Sequence, residues 1–249
     1  MHRIPSKLVL LSSVFFLALS CAGSRVAHTG PALHTGYAYA FLITRAEKVQ
    51  DDNYFKARKI RVRARRHYVK AFEAGLAKLE KRHPGFRDSL EKNPGGAVQT
   101  AGKVDVPLLY WTSASLGAAI SLSKDRPEML IKMPQVGALA FRITELWPDY
   151  EQGAAYQLLM IYEAGRPAMM GGSVKLAKHY YAKAREIAGD NSPSLLVAYA
   201  ESICVQEQDR IKFVAMLEDA LALKARGPAN RLAHKRARWL LGRVDELFL

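Results

Sequence analysis

The sequence predicts an all-α protein, a solenoid of antiparallel helix pairs, and three observations lead there. Aliphatic and alanine content is high while runs of β-branched residues are scarce, within a chain of 249 residues that is 49% hydrophobic. Apolar residues recur at helical spacing in segments of 12 to 20 residues, with no convincing alternating strand between them. The segments are separated by turn material that helices cannot cross: "HPG" at His83, "NPGG" at Asn93, "WPD" at Trp147, "GRP" at Gly165, "GDNSP" at Gly189 and "RGP" at Arg226.

Residues 1–20 stand apart from the fold. His2, Arg3 and Lys7 precede a near-continuous apolar run from Leu8 to Leu19, shorter than the roughly 20 residues of a membrane-spanning helix, and this reads as a secretory signal. The stretch "LALSC" places small or apolar residues before a cysteine, the bacterial lipoprotein cleavage pattern, so Cys21 is the expected lipidated first residue of the mature chain. Residues 21–36, which include "SRVAHTGPALHTG", read as a loosely ordered tether. The helical domain then occupies 37–249, with helices expected over about 37–49, 52–82, 104–123, 127–146, 151–164, 173–188, 193–206, 210–223 and 229–247.

Successive helices of this length call for a search for repeats. Ala177, Tyr181 and Ala184 match the Ala-x3-aromatic-x2-Ala pattern of the second helix of a tetratricopeptide repeat. Phe213, Leu217 and Ala220 reproduce the spacing 36 residues later with apolar substitutes, and Val136, Ala140 and Ile143 anticipate it by 41. The first helices match poorly, so the repeats are degenerate. Stacked pairs of this kind bury faces that no single pair can bury alone, and they leave a concave surface suited to binding.

Composition narrows the function classes. Loss of Arg3 and Lys7 with the leader lowers the formal charge from +14 to +12, a surface that favours anionic partners. The export signal argues against nucleic acid among them. With Cys21 modified, Cys204 has no disulfide partner, and its apolar helical setting reads as a buried structural thiol. The seven histidines include no pair three or four apart, and neither a metal-site motif nor a nucleophile elbow is present, so no cofactor, metal or catalytic residue is expected.

Two sets of residues are candidates for ligand or partner binding. In the basic run Lys56 to Lys70, five cations (Lys56, Lys59, Arg63, Arg66, Lys70) share one helix face and read as solvated. Arg58, Arg61 and Arg65 share a face with Val62, Phe72 and Leu76, so they require either carboxylate partners or an anionic ligand. The aromatics Tyr110, Trp111, Trp147 and Tyr156 are placed to line a groove, although most large aromatics at helical spacing are core, and one or two at most are expected to face a pocket. The glycine-rich "GRPAMMGGS" fails as a phosphate loop, because Met170 stands where the second glycine is needed and a helix, not a strand, precedes it. It reads instead as an enlarged elbow ending in an N-capping Ser173 whose free amides could meet a carboxylate.

Four blocks, "VPLLYWTSASLGAAISLSKD", "YEAGRPAMMGGSVKLAKHYYAKA", "AESICVQEQDRIKF" and "RARWLLGRVDELFL", together with "RARRHYVKAF" and "HPGF", resemble the T-component (TatT) family of periplasmic lipoproteins associated with TRAP transporters. The resemblance implies cryptic tetratricopeptide-type repeats, a lipid tether to the membrane and work beside a periplasmic TRAP solute-binding protein. It further implies a homotrimer with hydrophobic clefts and a small apolar or acidic organic ligand. The family offers no catalytic motif to carry over, so the expected function is non-enzymatic; only Cys21 receives a role from it. Ala22, where an aspartate would retain a lipoprotein at the inner membrane, points to the outer membrane. A protein-docking scaffold of the envelope with no transport role is the alternative reading.

Overall fold

From Gly30 onward the chain is helical almost without interruption. The computed structural model describes residues 30–248, so the leader, Cys21 and most of the expected tether lie outside the described residues. Helix α1 (Gly30–Tyr37) passes through a π-helical stretch (Ala38–Ile43) straight into α2 (Thr44–Val49). The tether expected to run to residue 36 therefore gives way to a folded helix at Gly30. Pro31 supplies a helical φ at the first turn, and Pro31, Ala32 and Thr35 are buried as α1 packs on the next long helix.

That helix, α3 (Tyr54–Arg82), starts at Asn53, whose side chain accepts a hydrogen bond from the Lys56 amide at 2.8 Å. Its buried stripe runs through Ala57, Ile60, Ala64, Tyr68, Phe72, Leu76 and Leu79. The connection expected after it holds two short helices, α4 (Phe86–Lys92) and α5 (Pro94–Ala97), which bury Phe86 and Leu90. Helix α6 (Val106–Ser121) is apolar on all sides and is buried on nearly all sides, as such a helix must be. The helix expected over 127–146 is divided into α7 (Pro127–Leu130) and α8 (Met133–Leu146); Pro134 cannot donate the amide that would have continued it.

The remainder follows the expected order: α9 (Ala154–Gly165), α10 (Val174–Ala188), α11 (Pro193–Tyr199), a second π-helical stretch (Ala200–Cys204), α12 (Val205–Glu207), α13 (Arg210–Ala222), α14 (Gly227–Leu241) and α15 (Val244–Leu247). Chain neighbours pack on one another: α6 on α3 and α8, α8 on α9, α9 on α10, α13 on α11 and α14. All nine positions of the three sequence triplets are buried, so the shared spacing marks the packing stripe of each helix. No strand occurs among the described residues. Gly75 on α3 sits so tightly against Thr112 of α6 that a Cβ there would overlap the Thr112 side chain, which is why these two helices cross closely.

The two ends of the chain meet, where a linear stack of repeats leaves its ends apart. Arg236 of α14, 5% exposed, reaches Glu201 of the second π-helical stretch at 2.5 Å and Glu47 of α2 at 2.6 Å. Its guanidinium also lies 4.3 Å from the Trp239 ring centre. Burial by itself would lower the pKa of Arg236; the Glu201 and Glu47 carboxylates outweigh it and raise the pKa above the ordinary arginine value. Nearer the surface, Arg243 holds Asp51 through two hydrogen bonds of 2.7 and 2.8 Å. A third anchor pins the start of α6: buried Asp105 accepts from Arg82 at 2.6 Å and from the Gly102 amide at 3.1 Å, and faces His83 Nε2 at 2.9 Å.

Removing one partner of a buried ion cluster costs about 3–5 kcal/mol, whereas exposed pairs contribute about 1 kcal/mol or less. Arg236→Ala is therefore expected to lower unfolding free energy by about 3–5 kcal/mol and Arg243→Ala by about 1 kcal/mol. Urea titration followed by circular dichroism reads both, and equal losses would show that the cluster does not tie the ends. Burial raises the Asp105 pKa, but its hydrogen bonds from Arg82, His83 and Gly102 outweigh that and leave it below the ordinary carboxylate value. Stability from this group is present above the unfolded pKa of about 3.9 and is lost as pH falls through the lower folded value. Asp105→Asn should remove that component of the acid limb in a pH series of thermal melts.

Candidate functional site

A chamber of about 290 Å³ opens between the end of α6, the short α7, the start of α8, the face of α9 and the "GRPAMMGG" elbow. Its walls are Ile120, Leu130, Met133, Val136, Leu158, Ile161, Pro167 and Met170, all apolar. Gly117 on α6 and Gly165 at the end of α9 line it as well, and the absence of side chains there leaves the volume open. An engineered apolar cavity of roughly 150 Å³ holds one benzene ring, so this space has room for a ligand about twice that size.

One wall is set by glycine. A Cβ at Gly137 of α8 would lie 2.7 Å from Tyr162 Cζ and 2.8 Å from its hydroxyl oxygen, so only glycine seats the Tyr162 ring against α8. The Arg166 guanidinium covers the other side of that ring, 4.4 Å from its centre, and donates to both oxygens of buried Glu163 at 2.6 and 2.7 Å. Arg166 Nη1 also donates to the Met170 carbonyl at 3.2 Å, which fastens the elbow to α9. Gly171 takes φ +84°, and Gly172 packs on the Arg166 carbonyl with no space for a Cβ. Ser173 caps α10 through the Leu176 amide at 3.2 Å. The stretch read in the sequence as a turn between helices is therefore also a fixed wall of the chamber.

Among the polar groups on that lining, Lys124 is the cation. The residue is exposed overall, yet partial desolvation lowers the pKa of its amine, and it has no ion pair or hydrogen bond among the described residues. The Ser121 hydroxyl is already used, donating to the Ala118 carbonyl at 2.8 Å. Burial raises the Tyr162 phenol pKa, so that group stays neutral. Ile131 and Met169, 74% and 94% exposed, are the chain neighbours of the lining residues Leu130 and Met170. An apolar body with one anionic end matches this arrangement of surface and charge.

The residues singled out by sequence lie elsewhere. Tyr110 and Trp111 are core side chains, each 1% exposed and stacked edge-on at 5.3 Å, because α6 is enclosed on all sides. Tyr156 is half-buried and faces Tyr180 of α10 at 6.3 Å; Trp147 is half-buried under the Lys103 ammonium. None of these four lines the chamber. Arg58 is exposed; Arg61 is half-buried, donates to the Gln50 side chain and has its pKa lowered by burial; Arg65 is half-buried beside a surface groove on α3. None of the three is ion-paired with a described residue, so the carboxylate partners that their helix face seemed to require are not what positions them. Cys204 is buried and burial pushes its thiol up to about 12, consistent with a structural thiol. Among the described residues no group of His, Cys, Asp or Glu is arranged to hold a metal ion.

Lys124, Tyr162 and Gly137 escaped sequence reasoning because they are separated by 13 to 38 residues and meet only when α6, α8 and α9 pack. The length of the "GRPAMMGG" elbow was the one local sign of something beyond a connection.

Comparison with known proteins bears on what the chamber serves. A family model described as TRAP transporter T-component matches residues 3–248. A relative from Treponema pallidum (strain Nichols), described as an uncharacterized protein, is 28% identical over 237 residues, covering 90% of this chain and 73% of the relative.

Overpacking a tight contact of the Gly137–Tyr162 kind costs about 1–3 kcal/mol. Gly137→Ala is expected to lower unfolding free energy by that amount, measured by urea titration, as the ring is driven toward the chamber. A loss below about 0.5 kcal/mol would show that the ring has slack.

Proposed function

Since the chain belongs to the TRAP transporter T-component family, we propose that it is a non-enzymatic binding protein of a TRAP solute-uptake system. In this reading it is anchored by a lipid on Cys21, faces the periplasm from the outer membrane and holds a small apolar acid in the chamber for exchange with the system's solute-binding subunit. The observation that carries the ligand assignment is the chamber itself: thirteen lining residues, mostly apolar, with the single ammonium of Lys124 among them. A ligand carboxylate in the chamber would pair with that ammonium, which is otherwise exposed to solvent. The exposed apolar rim at Ile131 and Met169 suits a partner that seals the mouth during transfer, since such patches mark interaction surfaces. No helix among the described residues is long and apolar enough to cross a membrane.

Two experiments test this. The fluorescent anion 1-anilinonaphthalene-8-sulfonate serves as an apolar acid probe. Lys124→Met, which keeps the apolar volume and removes the charge, is expected to weaken its binding about tenfold, equivalent to about 1.4 kcal/mol. Because burial lowers the Lys124 pKa, probe affinity should fall on the alkaline side before the pH at which an ordinary lysine deprotonates. An unchanged affinity in Lys124→Met sinks the acid-binding reading. Leu158→Trp, which fills the chamber, should abolish the lysine-dependent part of binding. Co-purification from detergent-extracted membranes is expected to recover a TRAP solute-binding protein; recovery of cell-wall or outer-membrane assembly proteins alone would replace transport with an envelope scaffold.

A further inference from the structure

The first half of α3 presents an unneutralised basic face. Between Tyr54 and Phe72 the chain has eight Lys or Arg and no carboxylate. Lys56, Lys59, Arg63, Arg66 and Lys70 are all exposed along one side of the helix, and none forms an ion pair with a described residue. Most described arginines elsewhere are paired: Arg82, Arg87, Arg126, Arg142, Arg166, Arg185, Arg210, Arg236 and Arg243 each have a carboxylate partner, whereas Arg45, Arg226, Arg231 and Arg238 have none among the described residues. A merely solvated helix face usually interleaves both signs; this one carries positive charge only.

Beside it runs an exposed apolar stripe. Leu33, Tyr37 and Phe41 are 57%, 41% and 64% exposed, spaced four residues apart along α1 and the π-helical turn that follows. The widened π turn keeps that spacing on one side of the helix instead of letting it drift round. Tyr37 stacks on Phe41 at 5.6 Å and packs on His67 of α3 at 5.0 Å. His67 in turn meets His34 through their Nδ1 atoms at 3.2 Å and lies in the groove lined by Arg63, Arg66 and Lys70. The aromatic stripe and the basic face are thus one continuous surface with His67 at the seam.

Position settles what this surface meets. α1 begins at Gly30, nine residues after Cys21, and nine residues span at most about 30 Å. With a lipid on Cys21, an inference that rests on the reading given under Proposed function, the patch cannot leave the neighbourhood of the bilayer. Aromatic rings favour the headgroup level, and Lys and Arg are drawn to anionic lipid within a Debye length of the surface. A lipid chain and a polybasic patch reinforce one another as membrane signals. We infer that the joined face of α1 and α3 lies flat on an anionic phospholipid surface, with Tyr37 and Phe41 at headgroup depth and the α3 cations over the phosphates. The lipid then sets where the protein is attached, and this face sets how it is oriented.

The test uses the full-length, membrane-extracted protein reconstituted into phosphatidylcholine vesicles with or without 30% phosphatidylglycerol, both containing nitroxide-bearing lipid. A bimane fluorophore is placed at Phe41→Cys or, as a control, at exposed Met169→Cys; Cys204 is buried and does not compete. Quenching at position 41 is expected to be at least threefold stronger than at 169 in the anionic vesicles. The triple variant Arg63→Glu, Arg66→Glu, Lys70→Glu should bring it down to the control level while leaving the helical circular-dichroism signal unchanged. Equal quenching at the two positions, or quenching at 41 that ignores both phosphatidylglycerol and charge reversal, overturns the inference. So does a concentration-dependent change of the position-41 signal in lipid-free detergent, which would assign the patch to a second copy of the chain. Flotation separates this from the anchor reading. Flotation with both vesicle types supports the anchor; flotation only with anionic vesicles removes the anchor and keeps the face; flotation with neither removes both.

Discussion

Arg236 buried between Glu47 and Glu201 is the constraint on which the closure of the fold depends. The two carboxylates come from positions 154 residues apart, one after the first π-helical stretch and one inside the second. A guanidinium enclosed in protein is tolerated only when its charge and its donors are met, and here the first and last thirds of the chain each supply one oxygen acceptor. Both π-helical stretches among the described residues stand beside this cluster: Tyr39 lies in one and Glu201 in the other, and burial holds the Tyr39 phenol neutral. The widened turns re-aim side chains that a regular helix would direct elsewhere.

With the ends tied, the chamber lies in the middle of the chain. Helix α8 packs on α6 and α9, and Gly117 and Gly165 are both among the residues that line the chamber. The elbow after α9 would be a loose loop by composition, yet Arg166 makes it a wall by engaging Glu163, the Tyr162 ring and the Met170 carbonyl together. Lys124, partly withdrawn from water, adds charge preference to a volume that would otherwise select on size alone.

The basic face of α3 belongs to a different layer of the same design. Its cations and the aromatic stripe of α1 lie on the N-terminal helices, whereas the chamber is formed by α6 to α9 and the elbow. The proposed membrane face and the proposed ligand site thus lie on separate parts of one core, with α3 packed on α6 between them. In that proposal surface electrostatics would orient the molecule while interior packing shapes the chamber, and neither role constrains the other.

The sequence by itself determined the helical class, the order of the helices, the breaks at proline and glycine, the buried character of Cys204 and the family. Each of these depends on neighbours along the chain: apolar periodicity, a missing amide, a cap three residues away. It also marked the five cations of α3 as one exposed face, because a face is a local property of a helix. It did not reveal that residues from Gly30 were folded, that Pro134 divided α7 from α8, or that Tyr110 and Trp111 were core rather than groove. Those outcomes were decided by which surfaces covered them. The chamber, the partner of Arg236 and the use of the elbow as a wall were decided by tertiary structure alone. A cavity is a property of the space between helices, and a buried charge accepts whichever carboxylate the packing brings near; neither leaves a periodic signal in any one segment.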